Sequence, residues 1–243
     1  NPFFNSTNIT NMISEENFRE NLDILNELIE NSCSEAGRNT KDVSILPVTK
    51  NWPVTAVNYA SKFGFTRVGE NRVQEAIAKQ SDTGEIDMKW DLIGHLQSNK
   101  AKLVVGRFDR IQTVDSLKLL SKLNNALTHV ESEISILIQV NTGKDPAKSG
   151  VTEEMCGELI EQALQYTNIK VEGLMTIAPF FPEDPTIARN AFSRLRLLRD
   201  KMVSDYDITL KELSMGMSGD LDEAIKEGST MIRVGSALFG KRD

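Results

Sequence analysis

Three stretches of this 243-residue chain carry residue types that could do chemistry. The first, "ILPVTKNWP" at 45–53, is an apolar run that closes on Lys50. A lysine at the rim of an apolar pocket loses hydration, which favours its neutral amine, and a neutral amine condenses with an aldehyde. The other reading is a strand end whose ammonium snorkels to water. The second stretch, "GMSGD" at 216–220, brackets Ser218 with Gly216 and Gly219, so that a hydroxyl and backbone N–H groups can face an anion. The third, "RVGSALFG" at 233–240, opens a short helix at Gly235 and Ser236, where the missing side chain lets a phosphate approach the backbone. Arg233 lies two residues before Gly235, so on a strand the two share a face, with Ile232 and Val234 on the other. A guanidinium facing the same cavity needs a partner, for which Glu70 and Asp220 are the carboxylate candidates.

These groups are useful only if the fold brings positions 50, 218 and 233–236 to one place. Short β-rich runs recur at 43–49, 65–69, 89–94, 110–114, 133–140, 170–176, 210–216 and 231–235, with helix-like segments between them. Strand–helix alternation favours right-handed crossovers and a parallel sheet, and eight such units close a (β/α)8 TIM barrel. Lys50 then falls at the carboxyl end of the first strand, and the two glycine turns follow strands seven and eight, where barrels often hold phosphate. No G-x-G-x-x-G follows the first strand, so a dinucleotide fold loses its main support. Ahead of the barrel, Phe18, Leu22, Leu25, Leu28 and Ile29 recur at helical spacing behind a Ser14 cap, and Gly37 closes the helix.

Composition narrows the class. At 40% hydrophobic and 26% charged, the chain suits one globular domain over 12–243, preceded by a flexible polar tail at 1–11. A formal charge of −7 without a basic stripe gives no reason to expect nucleic acid. No apolar run reaches the roughly 18 residues of a membrane span, and the amino terminus lacks a secretory pattern, so a cytoplasmic location is expected. Asn5 and Asn8 stand in glycosylation sequons that are idle without secretion. Cys33 and Cys156 lack metal-ligand spacing, which leaves neither a disulfide framework nor a metal site. Charged outer helices favour a monomer.

An amine on strand one, a phosphate cup on strands seven and eight, and an inward arginine between them describe a pocket for pyridoxal 5′-phosphate. The blocks "PVTK", "VGENRVQEA", "WDLIGHLQSNK", "TVDSL", "QVNTGKDPAKSG", "GLMTIAP", "FSRLRLLRDKM" and "LSMGMSGDLDEAIKEGSTMIRVGSALFGKR" occur in that order. From about residue 18 onward the chain resembles the pyridoxal phosphate homeostasis protein family, single-domain relatives of the alanine racemase amino-terminal barrel. The resemblance implies that Lys50 carries the cofactor as an internal aldimine. It further implies that Ser218, Gly235 and Ser236 hold the phosphate, that Arg233 lies against the pyridine nitrogen, and that Asn71 of "GEN" sits near the ring. From chemistry alone Asn71 is either a donor to the phenolic oxygen or a turn or cap residue.

The chain departs from the family pattern at Asp91, where many relatives have histidine after the tryptophan, and at Pro53, which stands one place later than usual. His95 is either a hydrogen-bonded mouth residue or a proton shuttle. Lys148 is either an accepting amine or a solvated loop residue. An arginine on the ring nitrogen disfavours its protonation and mutes carbanion chemistry. The larger racemases add a catalytic tyrosine from a second domain, for which this chain leaves no room, and Tyr59, Tyr166 and Tyr206 fall in outer helices. The expected function is therefore to hold pyridoxal phosphate reversibly and to influence vitamin B6 and amino-acid pools, with amino acids or pyridoxal phosphate-dependent apoenzymes as further partners. The alternatives are a weak amino-acid (alanine) racemase and a sugar-phosphate barrel with an aldolase-type lysine.

Overall fold

The computed structural model describes residues 12–241. Helix α1 (Glu15–Glu35) begins where Ser14, in extended conformation, accepts the Asn17 N–H at 3.1 Å. It ends two residues before Gly37, whose φ of +64° is the left-handed turn that glycine takes without steric cost. Phe18, Leu25 and Ile29 are buried, but Leu28 faces solvent, so the apolar stripe is narrower than the sequence spacing suggests. The sequons at Asn5 and Asn8, and the whole tail at 1–11, lie outside the described residues.

The strands are β1 (Ser44–Pro47), β2 (Arg67–Glu70), β3 (Lys89–Leu92), β4 (Arg110–Val114), β5 (Ile134–Gln139), β6 (Ile169–Met175), β7 (Glu212–Met217) and β8 (Met231–Val234). Each expected strand is present, most of them shorter than its apolar run. All pair in parallel, in the order β1-β8-β7-β6-β5-β4-β3-β2. The ring closes through a parallel bridge between Val48 and Gly69, where Thr49 N–H donates to the Gly69 carbonyl at 3.0 Å. Helices α2 (Thr55–Lys62), α3 (Val73–Asp82), α4 (Ala101–Val104), α5 (Leu117–Val130), α6 (Glu153–Leu164), α7 (Pro185–Tyr206), α8 (Leu221–Lys226) and α9 (Ser236–Phe239) separate or follow the strands. This is the (β/α)8 barrel with α1 added across α8 and α9.

The apolar mass lies between strands and helices. Ile232 and Val234 point outward to Phe18, Leu238 and Phe239, and Phe18 packs at a tilt against the rings of Tyr59, Phe63 and Phe239. The barrel interior is unusually polar. Buried Asp91 accepts from Arg67, from Arg110 Nε at 2.8 Å and from Gln112 Nε2 at 2.7 Å. Arg110 also donates to Glu172 at 2.9 Å. Asp91 is thus the acceptor around which the lower half of the barrel is organised.

Candidate functional site

Lys50 follows β1 in a tight turn closed by Trp52 N–H donating to the Thr49 carbonyl at 3.1 Å. Asn51, third in that turn, has φ of +59°, the type II geometry that asparagine tolerates better than most residues. Asn71 immediately follows β2. It does not cap α3, whose N-cap is Arg72. Its backbone leaves no space for a side chain at position 94, where a Cβ would meet the Asn71 carbonyl oxygen at 2.0 Å.

The turn after β7 is built by its own residues. Gly216 has φ of +99°, and a Cβ there would approach that of Ala224 to 2.6 Å. Asp220 Oδ1 accepts from Met217 N–H at 2.6 Å, which folds residues 217–220 back and presents Ser218. Ser218 Oγ accepts from Ala237 N–H at 3.3 Å, so the turn after β7 is tied to the first turn of α9. Gly235 and Ser236 open that helix.

Arg233 projects inward from β8 and is 3% exposed. Its Nη1 donates to Ser214 Oγ at 2.9 Å and its Nη2 to the Thr176 carbonyl at 3.0 Å. Neither expected carboxylate contacts it. Glu70 points away from the barrel axis to α3 and pairs with Lys79 at 2.5 Å, because neighbouring residues of a strand face opposite sides and Gly69 holds the inward position. Asp220 is engaged with the Met217 amide and acts on Arg233 only through its field. Burial pulls the Arg233 guanidinium down to about 10, against the opposing pull of Asp220, so it remains a cation at neutral pH. Burial also raises the Asp220 carboxyl, with the Met217 amide and Arg233 countering.

Lys50, Asn71, Ser218, Arg233, Gly235 and Ser236 line one cavity of about 670 Å³ at the carboxyl ends of the strands. Trp52, Phe180 and Met217 supply apolar walls, and Lys241 a second cation. The sequence did not point to these, nor to Ser214 and Thr176, because loop conformation and strand parity decide which side chains reach the mouth. His95 and Lys148 do not line the cavity. His95 is largely exposed, 3.9 Å from Asp115, and Lys148 belongs to the loop after β5, where its N–H donates to the Asp145 carbonyl at 3.0 Å. A second cavity of about 750 Å³ opens at the opposite end, around Arg67, Arg110, Glu172 and Glu212. Among the described residues, no cluster of His, Cys, Asp or Glu is arranged to hold a metal ion.

Comparison with known proteins decides the family. The family model for the alanine racemase N-terminal domain matches residues 13–243. The pyridoxal phosphate homeostasis protein of Aquifex aeolicus is 38% identical over 223 residues, 92% of this chain and 97% of that protein. The chain belongs to the pyridoxal phosphate homeostasis protein family.

The Vibrio alginolyticus member is 37% identical over 229 residues, 93% of this chain and 97% of that protein. Among solved structures, PipY of Synechococcus elongatus with pyridoxal phosphate bound superposes with a TM-score of 0.77 at 35% identity, covering 88% of this chain and all of that one. Alanine racemase of Clostridium difficile shares the fold, with a TM-score of 0.75 at 16% identity over 92% of this chain and 56% of the racemase. In this chain the barrel brings Lys50, Ser218, Gly235, Ser236 and Arg233 to one mouth. No described helix is long and apolar enough to cross a membrane.

Proposed function

We propose that this chain holds pyridoxal 5′-phosphate at the carboxyl-terminal mouth of its barrel and serves intracellular vitamin B6 and amino-acid homeostasis. The observation that carries this reading is that residues from the ends of β1, β2, β7 and β8, far apart in sequence, line one cavity of about 670 Å³. A cavity of that size, apolar on its walls with a few convergent polar groups, suits a small aromatic phosphate. Lys50 supplies the amine, which condenses with the aldehyde by forming a C=N bond and releasing water. Ser218, Gly235 and Ser236 take the phosphate, and Arg233 faces the ring nitrogen. Asn71, which lines the same cavity as Lys50 and is clear of any capping duty, is the donor to the ring's phenolic oxygen.

The bound cofactor supplies an electron sink that a protonated ring nitrogen would strengthen. The Arg233 cation disfavours that proton, so this chain's residues favour storage and release over turnover. Tyr59, whose hydroxyl donates to the Ile13 carbonyl at 3.2 Å on the outer face, offers no base at the mouth. The free, buried Cys33 and Cys156 support a reducing, cytoplasmic setting. Residues 12–243 act as a single cofactor-binding domain, and charged outer helices support a monomer.

The test is borohydride reduction of the protein incubated with pyridoxal 5′-phosphate, followed by peptide mapping. The label is expected on Lys50 and absent in Lys50→Ala with an unchanged circular dichroism spectrum. A label elsewhere would overturn the assignment. Turnover of L- or D-alanine above that of free cofactor would favour the racemase instead.

A further inference from the structure

The peptide groups on both sides of Lys50 are held from outside the barrel by one helix. On the amino-terminal side, the Thr49 carbonyl accepts from Lys79 Nζ at 2.6 Å, while Thr49 Oγ1 donates to Glu70 Oε1 at 2.6 Å. On the carboxyl-terminal side, Asn51 N–H donates to Glu75 Oε1. Lys79 joins the two halves, reaching Glu70 at 2.5 Å and Glu75 at 2.8 Å. Glu75 and Lys79 are four apart on α3, so they share the face turned to β2 and the Lys50 turn.

Thr49 and Glu70 are wholly buried and Lys79 is 6% exposed. One ammonium is therefore shared by two carboxylates, and Glu70 Oε2 is left buried without a hydrogen-bond partner. A buried ion cluster of this kind is a poor device for stability alone, since well-packed apolar residues commonly do as well. What it does supply is direction. The orientation of the Lys50 Cα–Cβ bond is fixed by the two flanking peptide planes, and each plane is tied to α3.

We propose that Lys79, Glu70 and Glu75 are positioning residues that aim the Lys50 amine into the mouth. This rests on the cofactor reading above. They act on the amine through the 49–52 turn. Since amine and aldehyde must meet in a near-attack geometry, loosening the turn weakens bond formation while leaving the phosphate cup as it was.

The test compares pyridoxal 5′-phosphate with pyridoxine 5′-phosphate, which carries an alcohol in place of the aldehyde. Lys79→Met is expected to lower the rate of Lys50 labelling and of the yellow absorbance by about ten-fold or more, and to keep pyridoxine 5′-phosphate affinity within about two-fold. Lys79→Arg, which restores a cation, is expected to recover part of the loss. Glu75→Ala removes the Asn51 contact from a partly exposed helix position that alanine suits, and is expected to act in the same direction, about three-fold. It carries the test if Lys79→Met does not fold.

Equal weakening of both ligands by Lys79→Met, or by Glu75→Ala where that variant stands in, would show general damage and overturn the proposal. So would wild-type behaviour toward both. If the unaltered protein itself forms no bond at Lys50, the cofactor reading falls and the clamp's role with it.

Discussion

Arg233 and Cys156 show how burial acts on single side chains in opposite ways. Arg233 keeps its charge because Ser214 and Thr176 accept from it and the Asp220 field assists. Cys156, inside α6, is wholly buried, and burial pushes its thiol from the ordinary 9.0 up to about 12. A folded-state pKa above the unfolded value means that the native chain keeps a proton the unfolded chain has lost. The associated stability is fully present below about pH 9 and is lost as pH rises toward 12. Denaturant melts at several alkaline pH values should show stability falling with a slope of up to about 1.4 kcal/mol per pH unit from this group. Cys156→Ala, with its uniform cost of a small cavity, should remove that part of the slope. An unchanged slope would mean that the thiol ionises equally well in both states.

At the level of elements, the strands and the two glycine turns were legible because each announces itself locally. A short β-branched run marks a strand, and glycine next to serine marks a turn. Gly235 and Arg233 fixed the inward parity of β8 from sequence alone, since two apolar residues alternate with them and pack outward. The parity of β2 was not legible. In "RVGE" no alternation of apolar and polar residues singles out a face, and the outward position of Glu70 is tolerated because Lys79 and Thr49 receive it there. A charged residue between sheet and helix contradicts the usual pattern and is readable only together with its partner nine residues on. The end of β7 is a sharper case, since Gly216 meets two demands at once, a positive φ and closeness to Ala224. Gly216→Ala should cost about 1–3 kcal/mol from backbone strain and overpacking. Because the turn that follows presents Ser218, affinity for pyridoxine 5′-phosphate measured by calorimetry should fall as well, by about ten-fold for about 1.4 kcal/mol transmitted to the phosphate cup. Loss of stability with unchanged affinity would separate the turn from the ligand.

Across the whole barrel, a column of donors runs from mouth to base. Arg233 donates to Ser214, Ser214 Oγ donates to Gln112 Oε1 at 2.5 Å, and Gln112 donates to Asp91, which also receives Arg67 and Arg110. Many barrels fill this space with branched apolar side chains. Here the interior coheres through charge and hydrogen bonding, and Asp91 is where the column ends. Removing that one acceptor leaves two guanidinium groups and an amide facing each other without the carboxylate that paired them; Glu172 and Glu212 still pair with Arg110, but Arg67 keeps only the field of Glu172. Asp91→Ala should therefore destabilise by about 3–5 kcal/mol, the cost typical of orphaning buried charge. The mouth should feel little of this, because Arg233 keeps the Thr176 carbonyl and Ser214 keeps Gln112. Pyridoxine 5′-phosphate affinity, measured well below the melting temperature, should stay within about three-fold, less than the ten-fold that corresponds to 1.4 kcal/mol. A larger loss would mean that the charge at the base sets the arginine at the mouth, and that the barrel acts as one electrostatic unit.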